Sequence, residues 1–255
     1  MLKIENLSFS YNLNSGKKIL EDISLEVFPG DLTAILGENG TGKSTLLKCV
    51  NKIETAQGGN ISIDDVNINE IGNKELAKKI AYVAQYTAKV HATVFETVLL
   101  GRKPYIKFDC AQKDIDIVNT VLKRLGLEDY SMKFIDQVSG GELQKIVFAR
   151  ALAQEPSIMI LDEPTSNLDM KNQHDILNIV KGLCEDENMS ILITIHDINL
   201  ALRYCNKFVL IKNGKVYSVG GKETITVEAI KDVYKVDVEI IEFKGNKVKI
   251  GRAHV

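Results

Sequence analysis

GENGTGKS, residues 37–44, follows the short apolar run DLTAIL (31–36) and opens a segment, 43–52, that lacks Gly and Pro and sets Leu46, Leu47 and Val50 at helical spacing. Strand, glycine loop and helix in that order let backbone N–H groups converge on phosphate oxygens while the helix presents the positive end of its dipole. The octapeptide fits GxxxxGK[ST] at every position. Lys43 is therefore expected to reach the β- and γ-phosphates of a nucleotide and the Ser44 hydroxyl to ligate Mg²⁺. Gly37, Asn39, Gly40, Thr41, Gly42 and Thr45 complete the candidate cradle. The bland alternative is a glycine-rich turn before a helix, and the strand-to-helix setting argues against it.

ILDEP (160–164) closes a second apolar run with two consecutive carboxylates. Asp162 is placed to hold Mg²⁺ through its water shell, and Glu163 to polarise the water that attacks the γ-phosphate. Alone, Asp-Glu-Pro would only end a strand; beside a phosphate loop it reads as chemistry. His196, just after SILITI (190–195), falls where open parallel sheets gather ligand-binding loops, though a lone histidine is often structural. Gln85 after IAYVAQ suits Mg²⁺ or an ordered water, and equally a solvated strand end. Tyr11 in FSYN could stack on adenine or pack against a strand.

Further strands are expected at SIMILD (157–162), SILITI and KFVLIKNG (207–214), with a helix near 171–184. Near-continuous apolar strands alternating with helices imply a parallel α/β sheet covered on both faces. From 86 to 154 the texture turns helical, with amphipathic runs such as DIDIVNTVLKRLGL and GELQKIVFARALAQ. The expected scheme is a discontinuous core, 1–85 and 155–220, an inserted helical lobe, 86–154, and a C-terminal extension, 221–255, whose role is open.

Composition narrows the classes. The 32 basic and 34 acidic residues are dispersed, without the stripe a nucleic-acid partner needs or a polybasic membrane arm. The four cysteines are widely spaced, without CxxC, and are expected to be small buried side chains in a reducing compartment. No signal peptide is legible in MLKIENLSFSYNL, and no apolar run reaches the length of a membrane helix, so the chain is expected to be cytoplasmic.

One segment exceeds the needs of a single nucleotide. In VSGGELQK (138–145), Ser139, Gly140 and Gly141 precede a helix, which suggests an N-cap with exposed N–H groups as a second anion site. An ordinary Ser cap with flexible glycines is the simpler reading. Taken in order over residues 1 to 220, however, GENGTGKS, SGGE, ILDEP, SNLD (166–169) and His196 resemble the ATP-binding cassette (ABC) ATPases.

That resemblance implies a P-loop core with an N-terminal antiparallel β subdomain, ATP and Mg²⁺ as cofactors, and a head-to-tail homodimer in which SGGE of one copy covers the γ-phosphate held by the other. It implies roles too: Tyr11 stacks on adenine, Gln85 senses Mg²⁺ and a transmembrane partner, Glu163 is the base, His196 contacts the γ-phosphate, and Asp169 couples the two sites. Val138 and Glu142 depart from the commoner LSGGQ, and Glu142 is expected to face away from phosphate.

HATVFETVLLGRKPY (91–105) and HDINLALRYCNKFVLIKNGKV (196–216) resemble the importer branch for iron chelates, haem and cobalamin, which molybdate importers share. The implied setting is the cytoplasmic face of a membrane, with permease subunits as direct partners and a solute-binding protein as an indirect one. Two other readings stand beside it: a soluble cassette acting in translation or DNA repair, and a P-loop small-molecule kinase, which would leave SGGE and SNLD without purpose.

Overall fold

The computed structural model describes residues 1–12, 18–85, 91–166, 168–243 and 246–251. Its backbone divides into two compact units, Met1–Glu70 with Val180–Val255, and Ile71–Ile179. The helical segment expected at 86–154 falls within the second unit, and 221–255 counts with the first.

Up to Glu70 the chain forms β1 (Leu2–Phe9), β2 (Leu20–Val27), β3 (Leu32–Leu36), α1 (Lys43–Val50), β4 (Gly58–Ile63) and β5 (Val66–Asn67). The second unit follows with α2 (Asn73–Lys79), β6 (Ile80–Val83), α3 (Val94–Leu99), α4 (Gln112–Arg124), α5 (Gly140–Ala153) and β7 (Ile158–Leu161), and α6 (Met170–Glu187) carries the chain back to the first. There it adds β8 (Ser190–Thr194), α7 (Ile198–Tyr204), β9 (Lys207–Lys212), β10 (Lys215–Gly220), α8 (Val227–Tyr234) and the hairpin β11 (Val238–Phe243) and β12 (Asn246–Gly251).

In the first unit β3 lies between β8 and β9 and parallel to both, and β10 runs antiparallel along β9. Every residue of β3 and β8 is buried, as are the central four of β9, the pattern of strands covered on both faces. Each fully buried aliphatic side chain, such as Ile35 or Leu36, stabilises the sheet by about 1.5–3 kcal/mol. A second, antiparallel sheet has the order β2-β1-β4-β5. Its first strand buries Leu2 and Ile4, then Leu7 and Phe9, because an irregularity between Ile4 and Leu7 shifts the parity by one. Asn6, inside it, has a φ of 51°, and its N–H is taken up by the Ser24 hydroxyl at 2.8 Å. On β2, Asp22 has a φ of 55° and bonds through its N–H to the Ser8 hydroxyl.

In the second unit β6 and β7 pair in parallel. Arg102, between α3 and α4, is buried at the centre of the helical part. Its guanidinium bonds to Asp114 at 2.9 Å, to Glu155 at 2.7 Å and to the Ala153 carbonyl, and lies 3.9 Å above the Tyr105 ring. Arg102→Ala would leave the Asp114 carboxylate buried without its partner. We expect it to lower unfolding free energy by about 3–5 kcal/mol in urea titration, and Arg102→Lys to restore little, since one ammonium cannot reproduce the planar fork.

Three cysteines follow the expectation and one does not: Cys49, Cys184 and Cys205 are buried, while Cys110, in the polar turn before α4, is exposed. Burial pushes the Cys49 thiol up to about 12 and Cys184 to about 11. Among the described residues, no helix is long and apolar enough to cross a membrane, and no cluster of three His, Cys, Asp or Glu could hold a metal ion by itself.

Candidate active site

The phosphate loop in the first unit is shaped by three glycines. Gly37, Gly40 and Gly42 have φ of 153°, 77° and 98°, values that side chains resist. Gly42 also has no room for more: a Cβ there would lie 2.7 Å from the Leu20 side chain and 2.9 Å from the Ile19 carbonyl. It is the left-handed N-cap of α1, and the Leu46 N–H returns to its carbonyl. Lys43 is buried, and its ammonium donates to the carbonyls of Gly37 and Glu38, both at 2.8 Å. The charge is thereby held over the loop instead of swinging in solvent. Thr41 closes the turn through its hydroxyl on the Glu38 carbonyl at 2.8 Å. Asn39 and Gly40 are exposed at the tip, and Ser44 is half-buried at the helix start.

Two further candidates join this loop. Tyr11 is 59% exposed, its ring edge-on to Phe9 with centroids 4.8 Å apart, and its hydroxyl lies 3.2 Å from that of Thr45 in α1. His196 follows β8, so it leaves the same edge of the parallel sheet as the loop after β3. It is exposed, and Asp197 beside it caps α7 by accepting the N–H groups of Asn199 and Leu200.

In the second unit, Asp162 and Glu163 leave the end of β7 beside Gln85, which leaves the end of its parallel neighbour β6. Asp162 is buried and accepts the Tyr82 hydroxyl at 3.2 Å. Gln85 donates its side-chain amide to the Glu163 carboxylate at 2.5 Å. Glu163 has a φ of 49°, a left-handed backbone that costs a non-glycine residue of order 1–3 kcal/mol and that concentrates at functional positions. The Ser166 N–H and hydroxyl, both on the Glu163 carbonyl, hold that conformation.

The same unit brings SGGE and SNLD together. Ser139 caps α5 in a capping box: its hydroxyl accepts the Glu142 N–H, and the Glu142 carboxylate accepts the Ser139 N–H at 2.8 Å. The Tyr130 hydroxyl and the Ser139 N–H hold that carboxyl below the usual range. Glu142 is thus committed to its own helix end. Gly140 has open space around its Cα, whereas a Cβ on Gly141 would meet the Asn172 side chain at 2.7 Å. Asn172 is fixed in turn by Asp169, whose two carboxylate oxygens accept its N–H at 2.8 Å and its amide at 2.9 Å. Residue 167 of SNLD lies outside the described residues.

A sequence profile of the ABC transporter family matches residues 20–166, more than half of the chain. The chain belongs to the ABC transporter family. This ABC ATPase is 47% identical over 98% of its length, and 97% of the other, to an uncharacterized ABC transporter ATP-binding protein of Methanocaldococcus jannaschii. It is 34% identical to the petrobactin import ATP-binding protein of Bacillus subtilis, covering 98% and 99% of the two chains. Against a phosphonates import ATP-binding protein of Rhodopseudomonas palustris it is also 34% identical, over 92% and 86%. Among solved structures, an inward-facing ABC transporter described as of metal-chelate type superposes with a TM-score of 0.84 at 27% identity, covering 98% of this chain and 95% of that one.

In the cassette, Tyr11, residues 37–45 and His196 gather in the first unit, and Gln85, Asp162, Glu163, Ser139–Gly141 and Asp169 in the second. Sequence reasoning passed over Tyr82, Tyr130 and Asn172, which hold Asp162, Glu142 and Gly141. Asn172 carried a faint signal, standing three residues after Asp169 at the start of a helix.

Proposed function

We propose that the chain is the ATP-hydrolysing subunit of an importer, working as a head-to-tail homodimer at the cytoplasmic face of a membrane. Permease subunits would bind it directly, and a solute-binding protein would deliver a metal chelate to them. The observation that carries this reading is the second anion cradle, a capped α5 with Gly141 packed under an Asn172 that Asp169 holds. A kinase has no use for such a cradle, whereas a dimer with one two-fold axis needs two.

The roles follow from the chemistry of each group. Lys43 and the loop N–H groups bind the β- and γ-phosphates, and Tyr11 faces the base. Ser44 and Asp162 offer hard oxygen donors of the kind Mg²⁺ accepts alongside water and phosphate. The ion, when bound, would neutralise charge on the phosphate oxygens. Glu163 orients and deprotonates the attacking water, and His196 steadies the γ-phosphate. Gln85 occupies one oxygen of the Glu163 carboxylate, which is freed for the water when a partner draws the glutamine away. Ser139, Gly140 and Gly141 cover the partner copy's nucleotide, with Asp169 linking the two sites.

The petrobactin relative and the metal-chelate structure favour an iron-chelate or similar cargo. The phosphonates relative, at the same identity, favours a phosphonate instead, and supports the importer class in either case. Co-purification from the native membrane, followed by ATPase assays with loaded binding proteins, tests both levels. Stimulation by a ferric-chelate, haem or cobalamin binding protein supports the proposal. Stimulation by a phosphonate- or molybdate-binding protein keeps the importer and replaces the cargo, and recovery with ribosomes or DNA-repair proteins alone overturns it.

A further inference from the structure

The tail beyond residue 221 carries no motif, yet it reaches the phosphate loop and the first turn of α7, both in the first unit. Helix α8 is capped by Thr226 and anchored by buried Ala229, Ile230 and Val233. At its last residue, the phenol oxygen of Tyr234 accepts the Gly37 N–H at 2.9 Å. Lys235 then ends the helix with a φ of 56° and brings its ammonium within 3.3 Å of the Glu38 carboxylate. Farther on, Lys249 in β12 pairs in both directions with the Asn199 side chain: its N–H donates to Oδ1 at 2.8 Å and its carbonyl accepts from Nδ2 at 3.2 Å. Asn199 stands in the first turn of α7, three residues after His196.

Gly37 sits in a slot. On one side is the Tyr234 hydroxyl; on the other a Cβ at Gly37 would strike the Ile211 carbonyl of β9. The carbonyls of Gly37 and Glu38 are also the two that hold the Lys43 ammonium. Tyr234 and Lys235 thus grip the residues that aim the phosphate-binding charge. Burial, partly offset by the Gly37 N–H, pushes the Tyr234 hydroxyl up to about 12, so it stays neutral at working pH.

We propose that Tyr234 is a positioning residue for ATP, and that α8 and β12 form a strap holding the phosphate loop and the first turn of α7. This rests on the reading of Lys43 as a phosphate ligand and adds to it a role for the tail. The strap fixes the loop before nucleotide arrives, so that binding spends little free energy on ordering it.

The test is calorimetric titration of the full-length chain with ATP, comparing native protein, Tyr234→Phe and Lys43→Ala. The phenylalanine keeps the ring and the packing of α8 while leaving the buried Gly37 N–H without its acceptor. We expect its Kd for ATP to rise about 5–20-fold at unchanged stoichiometry, with KM raised by the same factor and kcat nearly constant. A purely structural role would lower the competent fraction, and hence the stoichiometry, at native Kd; that result, or a native Kd at full stoichiometry, overturns the proposal. If Lys43→Ala itself binds like the native chain, the phosphate-loop reading fails first and the strap with it. Should Tyr234→Phe not fold, Lys235→Glu replaces it: the Kd should rise about 2–3-fold and return when Glu38→Lys is added. No change on that charge reversal counts against the strap.

Discussion

Glu163→Gln is expected to bind ATP with near-native affinity and to turn it over about 10²–10⁴-fold more slowly, the range a general base supplies. The two side chains have the same shape, and the amide of Gln85 that now donates to Glu163 at 2.5 Å would find a carbonyl oxygen in place of a carboxylate. The left-handed backbone at 163, with a φ of 49°, makes the same demand on either residue. Only the charge and the basicity are lost. Single-turnover hydrolysis of pre-bound ATP measures the chemical step, and gel filtration with ATP reports whether a dimer accumulates when hydrolysis no longer dissolves it. Near-native turnover would place the base elsewhere.

Lys43→Ala should weaken ATP binding by about 10²-fold or more, because hydrogen bonds to charged groups contribute about 1.5–3 kcal/mol each and the ammonium is already fixed for the task. Its two carbonyl contacts at 2.8 Å fix the ammonium on its own loop, so little ordering would be left for a nucleotide to impose. Arginine should not substitute, since Lys43 is only 6% exposed and a guanidinium is larger and demands a planar fork of acceptors. A ligand that binds the folded state raises Tm. Saturating ATP should therefore raise the Tm of the native chain and leave that of Lys43→Ala nearly unmoved. An equal rise in both would remove Lys43 from the site.

The parts of this molecule that could be read from sequence are those where one local rule applies. Strands β3, β8 and β9 are continuous apolar runs because both faces are covered, and α1 follows its glycine loop without a break. The family resemblance implies an N-terminal antiparallel β subdomain, but β1 and β2 are not legible in the residues themselves, because the shifts in register at Asn6 and Asp22 interrupt their alternation. Arg102 sits in a polar-looking GRKPY and gives no sign that Asp114, Glu155 and Tyr105 will close around it. Likewise, Tyr234 is an unremarked aromatic in a tail, and its bond to Gly37 spans 197 residues. The capping box at Ser139 and Glu142 is local, and it gives a physical reason for the Glu in the signature: the carboxylate closes its own helix end. Loops and helix starts that a motif defines were legible; the side chains that the fold brings beside them were not.

The cysteines turn into an experimental convenience. A thiol alkylates through its thiolate, and burial holds Cys49 and Cys184 largely protonated near neutral pH. Cys205 is shifted in the same direction by the same cause. Cys110 is exposed. A maleimide dye or spin label added to the unmodified sequence should therefore attach at Cys110 first, on the turn leading into α4. A label there would report on the second unit by fluorescence or spin resonance when ATP is added, with the other three cysteines left in place.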